Sequence, residues 1–199
     1  MTLPPAYFDD LYAESEDPWG FTDRWYERRK RALTLALLPD EHYLSAYEPG
    51  CSIGVLTREL ARRCDALLAT DVATSAVRAA RDRCADLPHV TVAQATLPAD
   101  WPEQHFELVI LSEIGYYFTP DDARELADRM FTSATTVVAV HWRHPVDDYP
   151  LGGDDVHAIL DATAARHGFG RCARHVDDDI RGDVWSTDPR SVAAKAGLL

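Results

Sequence analysis

Residues 47–57 of the chain read YEPGCSIGVLT, and this stretch decides the fold. The apolar run Tyr43–Tyr47 leads into it, which predicts a strand that enters a glycine turn. Gly50 allows the backbone to turn tightly, and Gly54 is expected to let the following helix approach a ligand, since a Cβ there would collide. The N-terminus of that helix offers free amide groups. The stretch therefore predicts a strand, a turn and a helix that together face a ligand.

The composition is that of an acidic globular protein. The chain has 199 residues, of which 46% are hydrophobic and 27% are charged, and roughly 100–200 residues is the usual size of one domain. We predict a single domain over residues 1–199, with residues 1–40 as an N-terminal helical segment or lid and residues 41–199 as the core. The formal net charge of −13 argues against nucleic acid or an anionic membrane as a partner, because both would repel the chain.

The cysteines and the N-terminal sequence favour the cytoplasm. The four cysteines form no C-x-x-C pair, which is typical of reduced thiols. The first residues, MTLPPAYFDD, lack the positive and apolar regions of a secretory signal. No apolar run approaches the roughly 18–20 residues of a membrane span. We therefore expect a cytoplasmic protein.

Helix and strand patterns alternate along the chain. Residues 1–20 contain prolines and are expected to be irregular or loosely docked. The predicted helices are Thr22–Leu38, Thr57–Cys64, Thr74–Cys84, Pro120–Phe131 and Asp154–His167. The predicted strands are Tyr43–Tyr47, Ala66–Thr70, Val90–Ala93, Phe106–Leu111, Thr135–Val140, Cys172–Val176 and Asp183–Ser186. Continuous apolar strands between helices predict an α/β fold with a doubly wound, mainly parallel sheet, in which a ligand lies beyond the carboxyl ends of the strands.

An acidic residue at the end of the second predicted strand helps to identify the ligand. Asp71 follows Gly54 by 17 residues, and a carboxylate there can accept both hydroxyls of a ribose. The turn is not the G-x-G-x-x-G of dinucleotide enzymes, and no Gly-Lys-Ser/Thr of a P-loop follows. A ribose without a phosphate fits better, and S-adenosylmethionine is such a ligand. The turn would hold its amino-acid end, Asp71 its ribose, and Val72 would pack on its adenine.

These segments resemble the class I S-adenosylmethionine-dependent methyltransferases, and more narrowly the NodS-like family. The resemblance runs from about residue 17 to about residue 160. It is carried by DPWGF, YERRK, EPGCSIGVLTRELARRCD, ATDVATSAVRAARDRC, FELVILSEIGYYF and VVAVHWRHP. It implies a Rossmann-like, seven-stranded sheet with an antiparallel last strand. It also implies methyl transfer, in the founding members onto the amine of a deacetylated chitooligosaccharide.

The expected cofactor site contains two departures from that pattern. Thr96 stands where most of the superfamily has Asp, so adenine recognition is expected from the backbone or from the Thr96 hydroxyl. Ser52 replaces a glycine of the turn. The cofactor-binding residues expected for S-adenosylmethionine are Glu48, Gly50, Cys51, Ser52, Gly54, Asp71, Val72, Ala95, Thr96, Leu97, Ser112, Trp19 and Arg31.

Two residues at strand ends are candidates for the chemistry. His141 is the first choice for a general base, because histidine titrates near neutral pH; the alternative is a core histidine bonded to the backbone. Glu113 would accept a proton or hold a substrate amine; the alternative is a supporting contact to the cofactor or to the N-terminal helix. Metal binding is not expected, because H-x-x-H at a strand end does not place both imidazoles on one face.

Other polar and aromatic residues are expected to bind the acceptor or cover the cleft. Tyr116, Tyr117, His144 and Asp154 are the candidate substrate contacts, although packing or helix capping would also explain some of them. A lid is expected from Trp19, Trp25 and Tyr26, with Arg28 or Arg31 on the methionine carboxylate. The basic cluster Arg24, Arg28, Arg29, Lys30 and Arg31 is otherwise expected to be a solvated helix face.

The sequence leaves three functions open. The first is N-methylation of a small, saccharide-like acceptor, an amino sugar or other glycosylated metabolite. The second is O-methylation of a sugar or natural product, which needs a His or Glu general base. The third is a methyltransferase-like protein that only binds the cofactor or a partner chain. A monomer or a homodimer is expected.

Overall fold

The computed structural model describes residues 1–199 and contains one seven-stranded sheet with flanking helices. The strands are β1 Ala46–Pro49, β2 Leu67–Asp71, β3 Val90–Gln94, β4 Phe106–Ser112, β5 Ala134–Trp142, β6 Gly170–Val176 and β7 Ile180–Ser186. The helices are α1 Pro5–Glu14, α2 Trp25–Leu37, α3 Val55–Leu60, α4 Thr74–Arg83, α5 Pro120–Ser133, α6 Gly153–Arg166 and α7 Val192–Lys195. Short 3₁₀ turns lie at Ala61–Arg63 and Gly115–Tyr117.

The sheet has the order β3-β2-β1-β4-β5-β7-β6. Strands β1 to β5 pair in parallel, whereas β7 is antiparallel to both β5 and β6. This confirms the predicted mainly parallel sheet with an antiparallel last strand. Strand β1 lies between β2 and β4, so the chain leaves β1 and β4 in opposite directions. In such a sheet a crevice opens at the carboxyl ends of the two strands.

The central strands are buried on both faces, as continuous apolar runs predict. On β4, Val109 and Leu111 pack into the layer formed with α5 and α6, while Leu108 and Ile110 pack against the α2 and α3 side. Strand β5 alternates in the same way. Side chains along a strand alternate with a period of two residues, so successive side chains lie on opposite faces of the sheet. One apolar strand can therefore pack against a layer of helices on each face.

The predicted elements occur in the predicted order, with shifted ends. The first strand begins at Ala46 and not at Tyr43, because pairing with β2 starts at Ala46↔Leu67 and Leu44 is 64% exposed. The helix after the glycine turn begins at Val55, two residues early. Thr119 caps α5, since its hydroxyl accepts a hydrogen bond from the Asp122 amide.

The expectation of an irregular N-terminus is wrong. Residues Pro5–Glu14 form α1, with proline at its first position, where the missing N–H costs no hydrogen bond. The aromatic side chains Phe8 and Tyr12 are four residues apart on one face of α1 and pack with Ile53, Ala73 and Ala76. No helix of the protein has the length and apolarity to cross a membrane.

Gly54 has a different role from the one predicted. It adopts φ +77° at the start of α3, and a Cβ built there would lie 2.9 Å from the Cα of Ala80. Its missing side chain therefore lets α3 approach α4, and Gly54 does not line the cleft described below.

We predict that Gly54→Ala destabilises the protein through both backbone strain and the clash with Ala80. Gly168 is the matched control, because it also has φ +77° but a Cβ there would meet nothing within 4 Å. Gly168→Ala should cost about 1–2 kcal/mol of unfolding free energy for strain alone. Gly54→Ala should cost about 1–3 kcal/mol more, for overpacking. Urea unfolding measures both values, and equal losses would contradict the packing role.

Candidate functional site

A two-lobed cleft lies at the carboxyl edge of the sheet, where β1, β2 and β4 end. The larger lobe has a volume of about 420 Å³ and the smaller one about 290 Å³. Their sizes are typical of small-molecule sites. Five residues line both lobes and join them: Phe8, Gly50, Asp71, Ile114 and Tyr117. We call the larger one the acidic lobe, for its Glu27 and Glu113, and the smaller one the apolar lobe.

Asp71 stands at the junction of the two lobes, at the end of β2. Its Oδ2 accepts a hydrogen bond from the Ser52 amide at 2.8 Å, and its Oδ1 accepts one from the Ala73 amide at 3.0 Å. Burial raises the pKa of Asp71, and these two amides lower it in part. The carboxylate is thus held by backbone donors alone and keeps further acceptor capacity toward the cleft.

Ser52 takes on the conformation that glycine usually supplies. Its φ is +50°, which is unfavourable for a residue with a Cβ. Two bonds hold it there: its amide donates to Asp71, and its hydroxyl is hydrogen-bonded to the hydroxyl of Tyr12 on α1. The replacement of glycine therefore ties the turn to the N-terminal helix. Gly50, whose φ is +72°, cannot be replaced in the same way. A Cβ at this position would lie 2.4 Å from Ile114 Cγ2.

The apolar lobe contains four residues predicted for adenine binding: Val72, Ala95, Thr96 and Leu97. The Thr96 amide donates to Asp100 Oδ2 at 2.8 Å, and its carbonyl accepts from the Asp100 amide at 2.9 Å. The hydroxyl is therefore the donor of Thr96 that remains free for a ligand. Residues 2–4, ahead of α1, and Pro5 at its start also line this lobe.

Two buried charged side chains, Glu27 and Lys30, and the partly buried Glu113 form the floor of the acidic lobe. Lys30 of α2 lies 2.8 Å from Glu27 Oε2 and 3.4 Å from Glu113 Oε1. Its ammonium also lies about 5.5 Å from the ring centres of Phe21 and Tyr26, within the range of cation–π attraction. Burial raises the pKa of Glu27, and Lys30 lowers it in part. Two carboxylates face one ammonium here, so the floor has an excess of negative charge when both are ionised.

Glu113 is held firmly although its backbone is strained. Its φ is +63°, and its Oε2 accepts hydrogen bonds from the Tyr116 hydroxyl and, at 3.3 Å, from the Trp142 amide. Its Oε1 points toward Lys30. The hydroxyl of Tyr26, which also lines the lobe, is buried and has no hydrogen-bond partner. The lobe thus combines a fixed carboxylate with an unsatisfied polar group.

Helix α1 and the loop after it cover the cleft. Tyr12 and Trp19 pack edge to face at 5.7 Å, and Phe8 packs on Tyr117 at 5.0 Å. The Leu3 amide donates to the Tyr117 carbonyl at 2.9 Å. Trp19 and Tyr26 line the acidic lobe as a lid would. Trp25, expected beside them, is 69% exposed and does not.

The prediction of His141 as a catalytic base is wrong. Its side chain is fully buried and lies outside the cleft. Its Nε2 accepts a hydrogen bond from the Gly115 amide at 3.1 Å, and its Nδ1 lies 3.1 Å from His157 Nε2. Both ring nitrogens are therefore occupied. Burial lowers the pKa of His141, and the nearby charges of Lys30 and Arg181 lower it further.

Three other polar residues are diverted from the cleft by ion pairs. Arg31 is buried and binds Glu59 at 3.0 Å and the Phe21 carbonyl at 2.7 Å, so neither it nor Lys30 is the solvated residue expected. His144 is exposed and pairs with Asp179. Asp154 pairs with Arg143 and Arg181. None of the three lines either lobe.

Two residues of the turn segment are also absent from the cleft. Glu48 is buried inside β1, and burial raises its pKa to about 8. Cys51 packs with Ala69, Val77 and Ala80. The remaining predicted residues do line a lobe, and their roles stay predictions: Gly50, Ser52, Asp71, Val72, Ala95, Thr96, Leu97, Ser112, Glu113, Tyr116, Tyr117 and Trp19.

Several cleft residues are not evident from the strand ends. They come from the N-terminal segment, from the last residue of β5 and from the region after it: Phe8, Tyr12, Arg24, Glu27, Lys30, Trp142 and Tyr149. The four-residue spacing of Phe8 and Tyr12 was a signal for a covering helix. Glu27 and Lys30 sit three residues apart, a spacing that fits an ion pair on an exposed helix equally well.

Comparisons by sequence place the chain among known proteins. The family model described as nodulation protein S (NodS) matches residues 9–140. Nodulation protein S of Rhizobium tropici is 30% identical over 104 residues, which cover 52% of this chain and 44% of that protein. The protein of the same name from Bradyrhizobium diazoefficiens is 28% identical over 103 residues, 51% of this chain and 49% of that protein. The matched stretch thus spans about half the length of these curated relatives.

Solved structures share the fold. A candidate methyltransferase of Pseudomonas syringae is 44% identical, covering 82% of this chain and 99% of that chain, with a TM-score of 0.71. The N-methyltransferase NodS of Bradyrhizobium japonicum WM9, in complex with S-adenosyl-L-homocysteine, has a TM-score of 0.80 over 92% of this chain and 98% of that chain, at 21% identity. Because the family model matches well over half of the chain, the protein belongs to the nodulation protein S family.

Proposed function

We propose that this protein is an S-adenosylmethionine-dependent methyltransferase that methylates an amine of a small acceptor, an amino sugar or another glycosylated metabolite. The observation that carries the proposal is the two-lobed cleft with Asp71 at its junction and a carboxylate floor on one side. Family membership and the 44% identical candidate methyltransferase support the reaction type. The NodS protein of Bradyrhizobium japonicum is named as an N-methyltransferase, which supports the amine.

The residues of the cleft fit the cofactor. The apolar lobe offers Val72 and Leu97 for a base and the Thr96 hydroxyl for its polar edge. Asp71 borders both lobes with acceptor capacity left for the hydroxyls of a ribose. Gly50 and Ser52 belong to the neighbouring acidic lobe, beside the place for a methionine moiety. Arg24 also lines this lobe and replaces Arg31 as the candidate for a carboxylate contact. When bound, S-adenosylmethionine supplies the methyl group on an activated sulfonium.

The acidic lobe suits an amine acceptor. An incoming ammonium is attracted by Glu27 and Glu113, whose charge Lys30 only partly neutralises. The ammonium must lose a proton before it can act as a nucleophile, and Glu113, which lines this lobe, is the candidate acceptor of that proton. Tyr116 and Tyr149 line the lobe and stack on each other, with ring centres 4.9 Å apart. The partly exposed Tyr149 is the candidate contact to a sugar ring. The chain's task is then alignment of the nucleophile, for which fixed side chains are needed.

O-methylation is the weaker alternative. A sugar hydroxyl needs a strong general base during the reaction. The buried His141 is not available to serve as one, which leaves only the weakly basic carboxylate of Glu113. We predict that glucosamine is methylated and N-acetylglucosamine is not, since the acetyl group removes the basic amine but leaves the hydroxyls. Carbon NMR of the product distinguishes an N-methyl from an O-methyl group. A methyl ether on either sugar would contradict the proposal.

Asp71→Ala tests the cofactor site. A hydrogen bond to a charged group contributes about 1.5–3 kcal/mol, so the variant should bind S-adenosylhomocysteine roughly 10- to 100-fold more weakly. Isothermal titration calorimetry measures this change. Asp82→Ala is the matched control, because Asp82 is exposed on α4 away from both lobes. An unchanged affinity for Asp71→Ala, or no binding to the wild-type protein, would refute the cofactor assignment.

Glu113→Gln tests the acceptor side. The substitution keeps the size of the side chain but removes its charge and basicity, so turnover of a chitotetraose with a deacetylated non-reducing end should fall about 100-fold. Affinity for S-adenosylhomocysteine should be unchanged. Asp128→Asn removes an exposed carboxylate that pairs with Arg166 and should leave turnover as in the wild type. Wild-type turnover by Glu113→Gln would rule out the assigned role.

A further inference from the structure

A chain of three buried polar side chains lies behind the acidic lobe and is not part of its wall. His141 is on β5, His157 on α6 and Asp183 on β7, and the side chains are 0% exposed. His141 Nδ1 lies 3.1 Å from His157 Nε2, and His157 Nδ1 lies 2.7 Å from Asp183 Oδ2. The chain ends at the Gly115 amide, 3.1 Å from His141 Nε2. Burying three such groups is unfavourable unless every polar atom is paired.

The direction of every hydrogen bond in this chain follows from its two ends. A backbone amide only donates, so Gly115 requires a bare Nε2 on His141. The proton of neutral His141 is then on Nδ1 and is donated to His157 Nε2. His157 must accordingly hold its proton on Nδ1, where Asp183 accepts it. One arrangement of protons satisfies all four groups, and it needs both imidazoles to be neutral.

Charges around the chain keep it in this state. Burial alone would raise the pKa of Asp183, but hydrogen bonds from His157, Arg174 and Arg181 hold it well below its usual range. Burial lowers the pKa of both histidines, although Asp183 opposes this at His157. The groups that face the two rings from the surrounding elements are Lys30 of α2, Tyr116 of the 3₁₀ turn, Asp161 of α6, and Arg181 and Asp183 of β7.

The His141 ring supports the turn after β4, which the hydrogen bond from the Glu113 amide to the Val140 carbonyl at 2.9 Å also joins to β5. A Cβ on Gly115 would be 2.8 Å from His141 Nε2 and 2.5 Å from Val156 Cγ1, so the backbone rests directly on the ring. Glu113, in its strained conformation, precedes this amide by two residues, and Tyr116 follows it. Tyr116 in turn donates to Glu113. A shift of the ring would therefore move both acceptor-facing side chains.

We propose that His141, His157 and Asp183 are positioning residues that hold the Glu113–Tyr117 segment in place for the acceptor by presenting a bare imidazole nitrogen to the Gly115 amide. The inference rests on the proposed function for its consequence in turnover. A second proton on His141 would place a donor against the amide donor, and the segment would lose its anchor.

The first test observes the protons directly in the wild-type protein. Long-range ¹H–¹⁵N NMR correlations distinguish bare from protonated ring nitrogens. We expect His141 with a bare Nε2 and His157 with a bare Nε2, both unchanged as the pH is lowered through about 6.5, the ordinary pKa of histidine. A protonated Nε2 on His141 would overturn the inference. This measurement needs no acceptor. Its result therefore tests the inference whichever sugar the protein methylates.

The second test separates positioning from structural support. Glutamine at position 157 can accept from His141 through its carbonyl and donate to Asp183 through its amide, whereas leucine can do neither. With the deacetylated chitotetraose as acceptor, His157→Leu should lower kcat about 100-fold through misplacement, with unchanged affinity for S-adenosylhomocysteine. His157→Gln should restore most of that loss. Arg190→Gln removes an ion pair at the surface, between Arg190 and Asp188, and should keep the wild-type kcat.

The outcomes separate this inference from the proposed function. A merely structural role would lower the melting temperature of His157→Leu without lowering kcat at temperatures where it is folded, and that result would overturn the positioning role. If His157→Leu does not fold, the kcat of His157→Gln and the wild-type NMR decide. A wild-type protein that binds no S-adenosylhomocysteine would instead refute the proposed function, while the tautomers would still be measured.

Discussion

The hydrogen bond from the Ser52 amide to the Asp71 carboxylate holds together the edge of the sheet on which the site is built. It joins the turn after β1 to the end of β2, and it holds Ser52 at a positive φ that its side chain disfavours. The same residue carries the hydroxyl that bonds to Tyr12. One short turn thus fixes the junction between the two lobes and anchors the helix that covers them.

A second constraint, the strained backbone of Glu113, acts on the other side of the crevice between β1 and β4. Glu113 also has a positive φ, and strained residues of this kind persist where surrounding bonds hold them. Here the holding bonds come from Tyr116, from the Trp142 amide and, behind the wall, from the His141 ring to Gly115. The two strained residues lie at the ends of β1 and β4, the two strands between which the crevice opens. Both conformations orient polar atoms toward the same cleft.

Buried charge distinguishes the two lobes. Burying an ion pair costs desolvation free energy that the mutual attraction of the charges only partly offsets. Lys30 between Glu27 and Glu113 is therefore a poor way to stabilise the fold, and a good way to keep charged groups in place for a polar ligand. The apolar lobe has Asp71 as its only acidic side chain. The division suits the proposed cofactor and acceptor, with the flat adenine on the apolar side and the cationic groups on the acidic side.

The sequence by itself determined the sheet, the order of its elements and the edge that carries the site. Apolar runs such as Phe106–Ser112 and Ala134–Trp142 are buried whatever their neighbours are, and a parallel sheet places all their carboxyl ends on one side. Only the tertiary structure decided which polar side chains at that edge face the cleft. His141 lies near the end of β5 and Glu113 directly follows β4. The His141 ring is nevertheless closed in by Gly115 and His157, whereas the Glu113 side chain lines the lobe. That choice depends on partners far away in sequence, as does the burial of Lys30 and Arg31, because an ion pair forms between elements that only the folded chain brings together.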